Sequence, residues 1–255
     1  MLKSPVLSTV LFFATIPSTE HSNRRSIMDE QKNQPVAYSQ EAVFSNFMQR
    51  VYQWMAMGLA LTGLISFLTL QNTGLLKFLF HGGLWVFLIA EFGIVIWLSA
   101  RLQKMSAQAA ALGFFVYATL NGITISTMLL LYTAASVSLT FLITAMTFAG
   151  VSLYGWATKK DLTSVGSFCF MALIGLIIAS LVNMFFYSTL TNLILSYLGV
   201  AVFIGLTAYD TQRLKAIHRN TPDASEQLAI FGALMLYLDF INMFLWLLQI
   251  FGRRR

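Results

Sequence analysis

Residues 228–250 read LAIFGALMLYLDFINMFLWLLQI, an apolar run whose sole charged side chain is Asp239. A helix rises 1.5 Å per residue, so such a run matches the about 30 Å of hydrocarbon in a bilayer. Comparable runs lie upstream at 50–70, 84–101, 107–131, 136–157, 165–187 and 191–210. They are long and unbroken and lack the ten-residue alternation of a membrane β-barrel, so they read as helices. Connections such as Tyr132-Thr133-Ala134-Ala135 and Ser188-Thr189-Leu190 are short, which makes consecutive helices antiparallel neighbours. The expected fold class is all-α, a polytopic bundle of seven transmembrane helices over 49–255.

Composition agrees. Of 255 residues, 57% are hydrophobic and 10% charged, whereas a soluble domain carries about a quarter of its residues as Asp, Glu, Lys and Arg. So few charges cannot clothe a water-facing surface, and lipid must cover much of the outside. The net charge of +6 is dispersed between the apolar runs, which is how orientation is written into membrane proteins and not a nucleic-acid footprint. The single cysteine, Cys169, excludes an internal disulfide and a cysteine metal cluster.

Residues 1–48 form the only long polar region and are expected to be a largely disordered cytoplasmic segment. Within it, Val6–Ile16 resembles a weak signal-peptide core too short to span a membrane. Met28-Asp29-Glu30-Gln31 reads like a natural amino terminus, with the start assigned too far upstream. Arg50 precedes the first run. Arg101 and Lys104 follow the second, Lys159 and Lys160 the fourth, and Arg213, Lys215 and Arg219 the sixth. The opposite connections hold only Lys77 and Arg253-Arg254-Arg255. The positive-inside rule then makes the amino terminus cytoplasmic. The final arginines oppose that rule if the last run crosses fully; seven full crossings are nevertheless the reading adopted over a re-entrant last segment.

Three carboxylates fall within apolar runs: Glu91, Asp210 and Asp239. A carboxylate at membrane depth costs at least a few kcal/mol unless it is paired, protonated or hydrated, so function is the default reading. Asp239 is deepest, roughly 18 Å into the last run. Gly232, Asn242 and Trp246 share its helical face. Asp210 is placed at the cytoplasmic end of the sixth run, near Thr207 and Tyr209, and Arg101 is a candidate ion-pair partner for it from a neighbouring helix. Polar stripes recur elsewhere: Tyr117, Asn121 and Thr124; Thr140, Thr144 and Thr147; Ser180, Asn183 and Tyr187. Interhelical hydrogen bonding is the plain explanation for these, and a hydrated cavity the alternative. The histidines His21, His81 and His218 have no metal-ligand spacing, and no phosphate-binding loop or nucleophile elbow is present. No cofactor is expected, and no enzymatic activity.

Gly205-Leu206-Thr207-Ala208-Tyr209-Asp210-Thr211-Gln212 resembles the sixth-helix signature of the Bax-inhibitor family. Gly232-Ala233-Leu234 with Leu236-Tyr237-Leu238-Asp239-Phe240-Ile241-Asn242 resembles its last-helix signature, and Lys159-Lys160-Asp161-Leu162 and Glu91 fit as well. The similarity runs from about Met48 onward, closest to the Gram-negative inner-membrane branch. The resemblance implies six helices around a central apolar seventh, with Asp210 and Asp239 facing each other as a hydrogen-bonded pair. It also implies a pH-sensitive calcium leak channel or exchanger in the inner membrane, and in some members modulation of membrane proteases or cell death. A helix-two arginine latches the helix-six aspartate in that scheme. Arg101 is the candidate here, displaced by a residue from the place the pattern gives it.

Two readings of function follow. In the first, Asp210 and Asp239 form the pH sensor and ion pathway, with Arg101, Glu91 and Asn242 as possible latch or pathway residues. Two close carboxylates in low dielectric cannot both ionise easily, so their titrations are coupled. Calcium wants six to eight oxygens, so the two aspartates make at most a weak, transient site, as conduction requires. In the second, the chain binds a membrane protease or another membrane protein and transports nothing. An intramembrane aspartyl protease is disfavoured, because Leu236-Tyr237-Leu238 precedes Asp239 where that chemistry wants Gly-x-Gly.

Overall fold

The computed structural model describes residues 34–101, 105–186, 188–220 and 226–255. Among these residues the chain is a bundle of seven helices long and apolar enough to cross a membrane: α1 (Gln34–Gln71), α2 (Thr73–Arg101), α3 (Ala107–Leu129), α4 (Ala134–Ala157), α5 (Thr163–Phe185), α6 (Thr189–Asn220) and α7 (Glu226–Phe251). Short polar caps start several of them. Ser106 accepts from the Ala109 N–H, and Thr133 from the Ser136 N–H, satisfying donors that a helix start leaves open. Asp161 does the same before α5, accepting from the backbone N–H and hydroxyl of Thr163 at 2.9 and 2.6 Å. Those two donors hold its carboxyl below the ordinary carboxylate range. In α2 the regular ladder is interrupted at Leu79–Gly83, where Gly82 takes φ 104°. That left-handed conformation suits a residue without a Cβ, and it kinks the helix.

Helix α7 is the axis. In its most apolar window 94% of residues are buried, against 22% in α2 and α4. It packs directly on α1, α3, α4 and α6, while α2 leans on α3 and α5 on α6. The centre is therefore a ring of four helices with two outriggers. Outward-facing Phe67, Trp85, Ile89, Leu142 and Phe168 are exposed. Apolar surface on that scale is stable only against lipid.

Both ends of α7 are tied to opposite ends of the bundle. At its start, Glu226 meets Arg50 and Trp54 of α1. Beyond its end, the Thr133 N–H donates to the Arg253 carbonyl at 2.9 Å and the Arg255 N–H to the Leu131 carbonyl at 3.0 Å. The last helix thus runs the full length of the bundle and is not re-entrant.

Two helix boundaries differ from the sequence expectation. Helix α1 begins at Gln34, inside the segment read as polar and disordered. Helix α6 runs on to Asn220 and does not stop at 210. Hydropathy marks where lipid ends, whereas a helix continues wherever its polar turns find partners. Beyond Asp210, Gln212 accepts from the Leu162 N–H and donates to the Lys160 carbonyl, and Lys215 Nζ donates to the Trp156 carbonyl. Much of the loop expected at 211–227 is therefore helix. Val6–Ile16, His21, Met28, Lys104 and Tyr187 lie outside the described residues.

Helices α4 and α6 touch at Gly155, where a Cβ would collide with the backbone carbonyl of Ala208. Gly150, one helical face away, has open space at the same position. Gly155→Ala is expected to cost about 1–3 kcal/mol, as overpacking does, while Gly150→Ala leaves stability unchanged or raised. Thermal unfolding in detergent checks this; equal effects of the two would contradict the α4–α6 contact.

Candidate functional site

Asp210 on α6 and Asp239 on α7 are both fully buried. The helices meet along a seam of α6 residues Phe203, Leu206 and Thr207 facing Met243 and Trp246 of α7. In that seam the two carboxyl groups face each other within hydrogen-bonding range, while the Thr207 hydroxyl beside them donates to the Phe203 carbonyl at 2.7 Å. As two carboxylates, their four oxygens are all acceptors and meet no donor among the described residues. A hydrogen bond between them exists only when one carries a proton. Arg213, a turn beyond Asp210 on α6, is the guanidinium that acts on Asp210 electrostatically.

Arg101, the latch candidate, is exposed, and the ion pair found among the described residues is Arg50–Glu226 at 3.5 Å. Arg101 therefore makes no ion pair with Asp210. Asp210 itself is ten residues short of the helix end at Asn220, so the sixth helix does not stop where its apolar run does.

Directly past the pair, Tyr52 of α1 lies beside Ser152 of α4 and Thr211 of α6. Thr211 also donates to Ser152 at 3.4 Å. Beside them Val51 and Leu214 close on Gly232. Three helices therefore converge on α7 and shut the end of the bundle that holds Lys159 and Lys160. In the other direction lies Asn242, buried and donating to the Leu238 carbonyl at 2.7 Å. Further along are Trp246 Nε1, Asn183 Nδ2 and Thr140 Oγ1, buried donors with no protein partner among the described residues.

Glu91 belongs to a separate network. It is buried on α2 and accepts from Thr124 Oγ1 at 2.6 Å and Asn121 Nδ2 at 3.4 Å, both on α3. Asn121 Oδ1 in turn accepts from the Tyr237 hydroxyl of α7 at 3.1 Å, and Tyr237 meets Thr62 of α1 at 2.7 Å. The chain Thr62–Tyr237–Asn121–Glu91 can align its donors toward the Glu91 carboxyl, each bond polarising the next. Tyr237 and Asp239 are two residues apart, hence about 200° around the helix. Helix α7 thus carries its two polar sites on opposite faces, and Glu91 does not join the aspartates.

The stripe on α3 does what interhelical hydrogen bonding predicts. On α4, Thr144 and Thr147 bond to carbonyls of their own helix. Tyr52, Tyr237 and the Trp54–Glu226 contact went unremarked in the sequence. A tyrosine at mid-membrane depth needs a partner for its hydroxyl, and that signal marks Tyr237. Among the described residues no group of three or more His, Cys, Asp or Glu side chains is placed to hold a metal. Two carboxyls and a threonine fall short of a resident calcium shell.

The chain matches the family described as "Inhibitor of apoptosis-promoting Bax1" over residues 44–255. It is 44% identical over 220 residues to the Inner membrane protein YbhL of Escherichia coli K12, covering 84% of this chain and 94% of that protein. An uncharacterized protein of Deinococcus radiodurans is 42% identical over 226 residues, covering 87% and 97%. One from Borreliella burgdorferi is 40% identical over 222 residues, covering 85% and 96%.

Removing the Tyr237 hydroxyl strands Asn121 Oδ1 in an apolar interior. Tyr237→Phe is expected to cost about 1–3 kcal/mol, while Tyr197→Phe, at an exposed position, changes stability by less than about 0.5 kcal/mol. Unfolding of the two variants side by side reads the difference; a neutral Tyr237→Phe would contradict the network.

Proposed function

We propose a function from one premise: this chain belongs to the Bax inhibitor family of integral membrane proteins. On that premise it is a pH-sensitive leak pathway or exchanger for calcium, gated by Asp210 and Asp239, and it is not an enzyme. One observation carries the reading: two fully buried carboxyl groups on adjacent helices that, among the described residues, face each other.

Two negative charges in hydrogen-bonding contact within low dielectric repel strongly, whereas one shared proton turns that repulsion into a charge-assisted hydrogen bond. The proton therefore ties α6 to α7. Its loss pushes the helices apart at the point where Tyr52, Ser152 and Thr211 close the bundle. The freed oxygens then offer a divalent cation a brief stop, with water completing its shell. The buried donors Trp246 Nε1, Asn183 Nδ2 and Thr140 Oγ1 support a polar route from the pair toward the other end. A bacterial relative named as an inner membrane protein supports the same membrane here, and the dispersed basic residues support a cytoplasmic amino terminus.

Calcium flux into liposomes holding the purified protein tests this. Wild-type flux is expected to vary with pH. Asp239→Asn and Asp210→Asn each keep shape and hydrogen-bonding capacity while removing a titrating site, so each flattens the response. The double variant adds little beyond either, as for residues acting as a unit. Full pH dependence in both single variants rules out the pair as sensor. No wild-type flux at any pH favours the non-transporting reading, in which the chain binds a membrane protease or another membrane protein. A cysteine placed at Ser106, in a Cys169→Ser background, is expected to label from the cytoplasmic side; labelling only from outside reverses the orientation.

A further inference from the structure

Among the described residues, the ionised side chains at the end of the bundle where α7 finishes are all basic. Residues 72–83, 130–133, 186, 188 and 252–255 at this end contain no Asp or Glu, yet include Lys77, Arg253, Arg254 and Arg255. The opposite end mixes its basic residues with Asp161 and Glu226 among the described residues. Three consecutive arginines at the end that follows the last crossing run against the usual distribution of cations, and orientation does not explain them.

These arginines are also held in place. The two backbone bonds between 131–133 and 253–255 make an antiparallel bridge centred on Tyr132 and Arg254. Ser136 Oγ donates to the Arg253 carbonyl at 3.5 Å. Side chains alternate along such a ribbon. Arg254 therefore shares a face with Tyr132, a buried ring. Arg253 and Arg255 project together from the other face, about 7 Å apart along the strand. All three are exposed. Helix α4 begins at Ala134, directly after the ribbon, and adds the positive end of its dipole.

Depth identifies the occupant. Helix α7 has 26 residues, roughly 39 Å of helix, which carries the ribbon from one headgroup layer to the other. Leu131 in the ribbon, and Phe185, Phe186 and Leu190 at the same end, expose their apolar side chains, as residues at the edge of the hydrocarbon do. A planar guanidinium binds phosphate through two parallel N–H bonds, and a pair of them on one face at headgroup depth fits a lipid phosphate. We propose that Arg253 and Arg255, fixed by the 131–133/253–255 ribbon, form a binding site for the phosphate of an anionic phospholipid in the leaflet at this end of the bundle.

Native mass spectrometry of the full chain tests this, using detergent micelles doped with equal phosphatidylglycerol and phosphatidylcholine of the same acyl chains. Wild type is expected to retain phosphatidylglycerol roughly fivefold over phosphatidylcholine, the scale of a basic residue near an anionic surface. The preference falls away in Arg253→Gln/Arg255→Gln and persists in Lys159→Gln/Lys160→Gln at the other end. A double variant that keeps the preference overturns the proposal, as does equal loss in the Lys159/Lys160 pair. Inorganic phosphate that abolishes the wild-type preference at millimolar concentration shows a free-anion site, and overturns the lipid assignment. If the arginine variant does not fold, wild type alone decides: the preference must weaken as sodium chloride is raised, and a salt-independent preference overturns the site.

Discussion

Two carboxyl groups buried side by side are the constraint on which the rest of this bundle depends. In hydrocarbon a single unpaired carboxylate is costly, and two in contact are worse, because desolvation and mutual repulsion add. The fold answers by sealing the pair at the most protected place it has, between α6 and the axial helix α7. Everything nearby serves that closeness. Gly155 lets α4 approach the α6 backbone at Ala208, next to Asp210. Thr207 beside the pair keeps its hydroxyl on the Phe203 carbonyl, and Tyr52, Ser152 and Thr211 close over the pair.

The second polar network gives α7 its other reference point. A purely apolar axial helix is free to rotate or slide, since one leucine packs about as well as another. Tyr237, bonded to Asn121 and Thr62 on one face, and Asp239 on the opposite face fix its rotation from both sides. The Glu226 contacts at its start and the 253–255 ribbon beyond its end fix its length in the bundle. A helix so constrained is held at four places, and the α6–α7 seam with its two buried carboxyl groups is one of them.

Seven helices were legible because hydrocarbon thickness imposes one length and one polarity on each run. Asp210 and Asp239 stood out for a related reason: a charge in such a run breaks its pattern. What pattern reading could not supply was the partner of each polar group, which depends on helix rotation. Arg101 and Asp210 looked compatible along the sequence, yet Arg101 turns outward. Glu91 read as a possible latch or pathway residue, and α2 leans on α3 and delivers it to Thr124. The end of α6 was misplaced because Gln212 and Lys215, which read as loop, are the residues that bind the helix to the 156–162 segment. Tyr237 was hidden by belonging to the very motif that drew attention to Asp239.

The central claim is that a single proton lies between Asp210 and Asp239. Infrared difference spectroscopy on protein labelled with ¹³C-aspartate reads it directly, since the label separates aspartate carboxyls from Glu91. A protonated aspartate carboxyl band at neutral pH, shifted by the label and altered by both Asp210→Asn and Asp239→Asn, is the result this account predicts. An aspartate spectrum at neutral pH containing only ionised carboxylate, in wild type and in both variants, would contradict it.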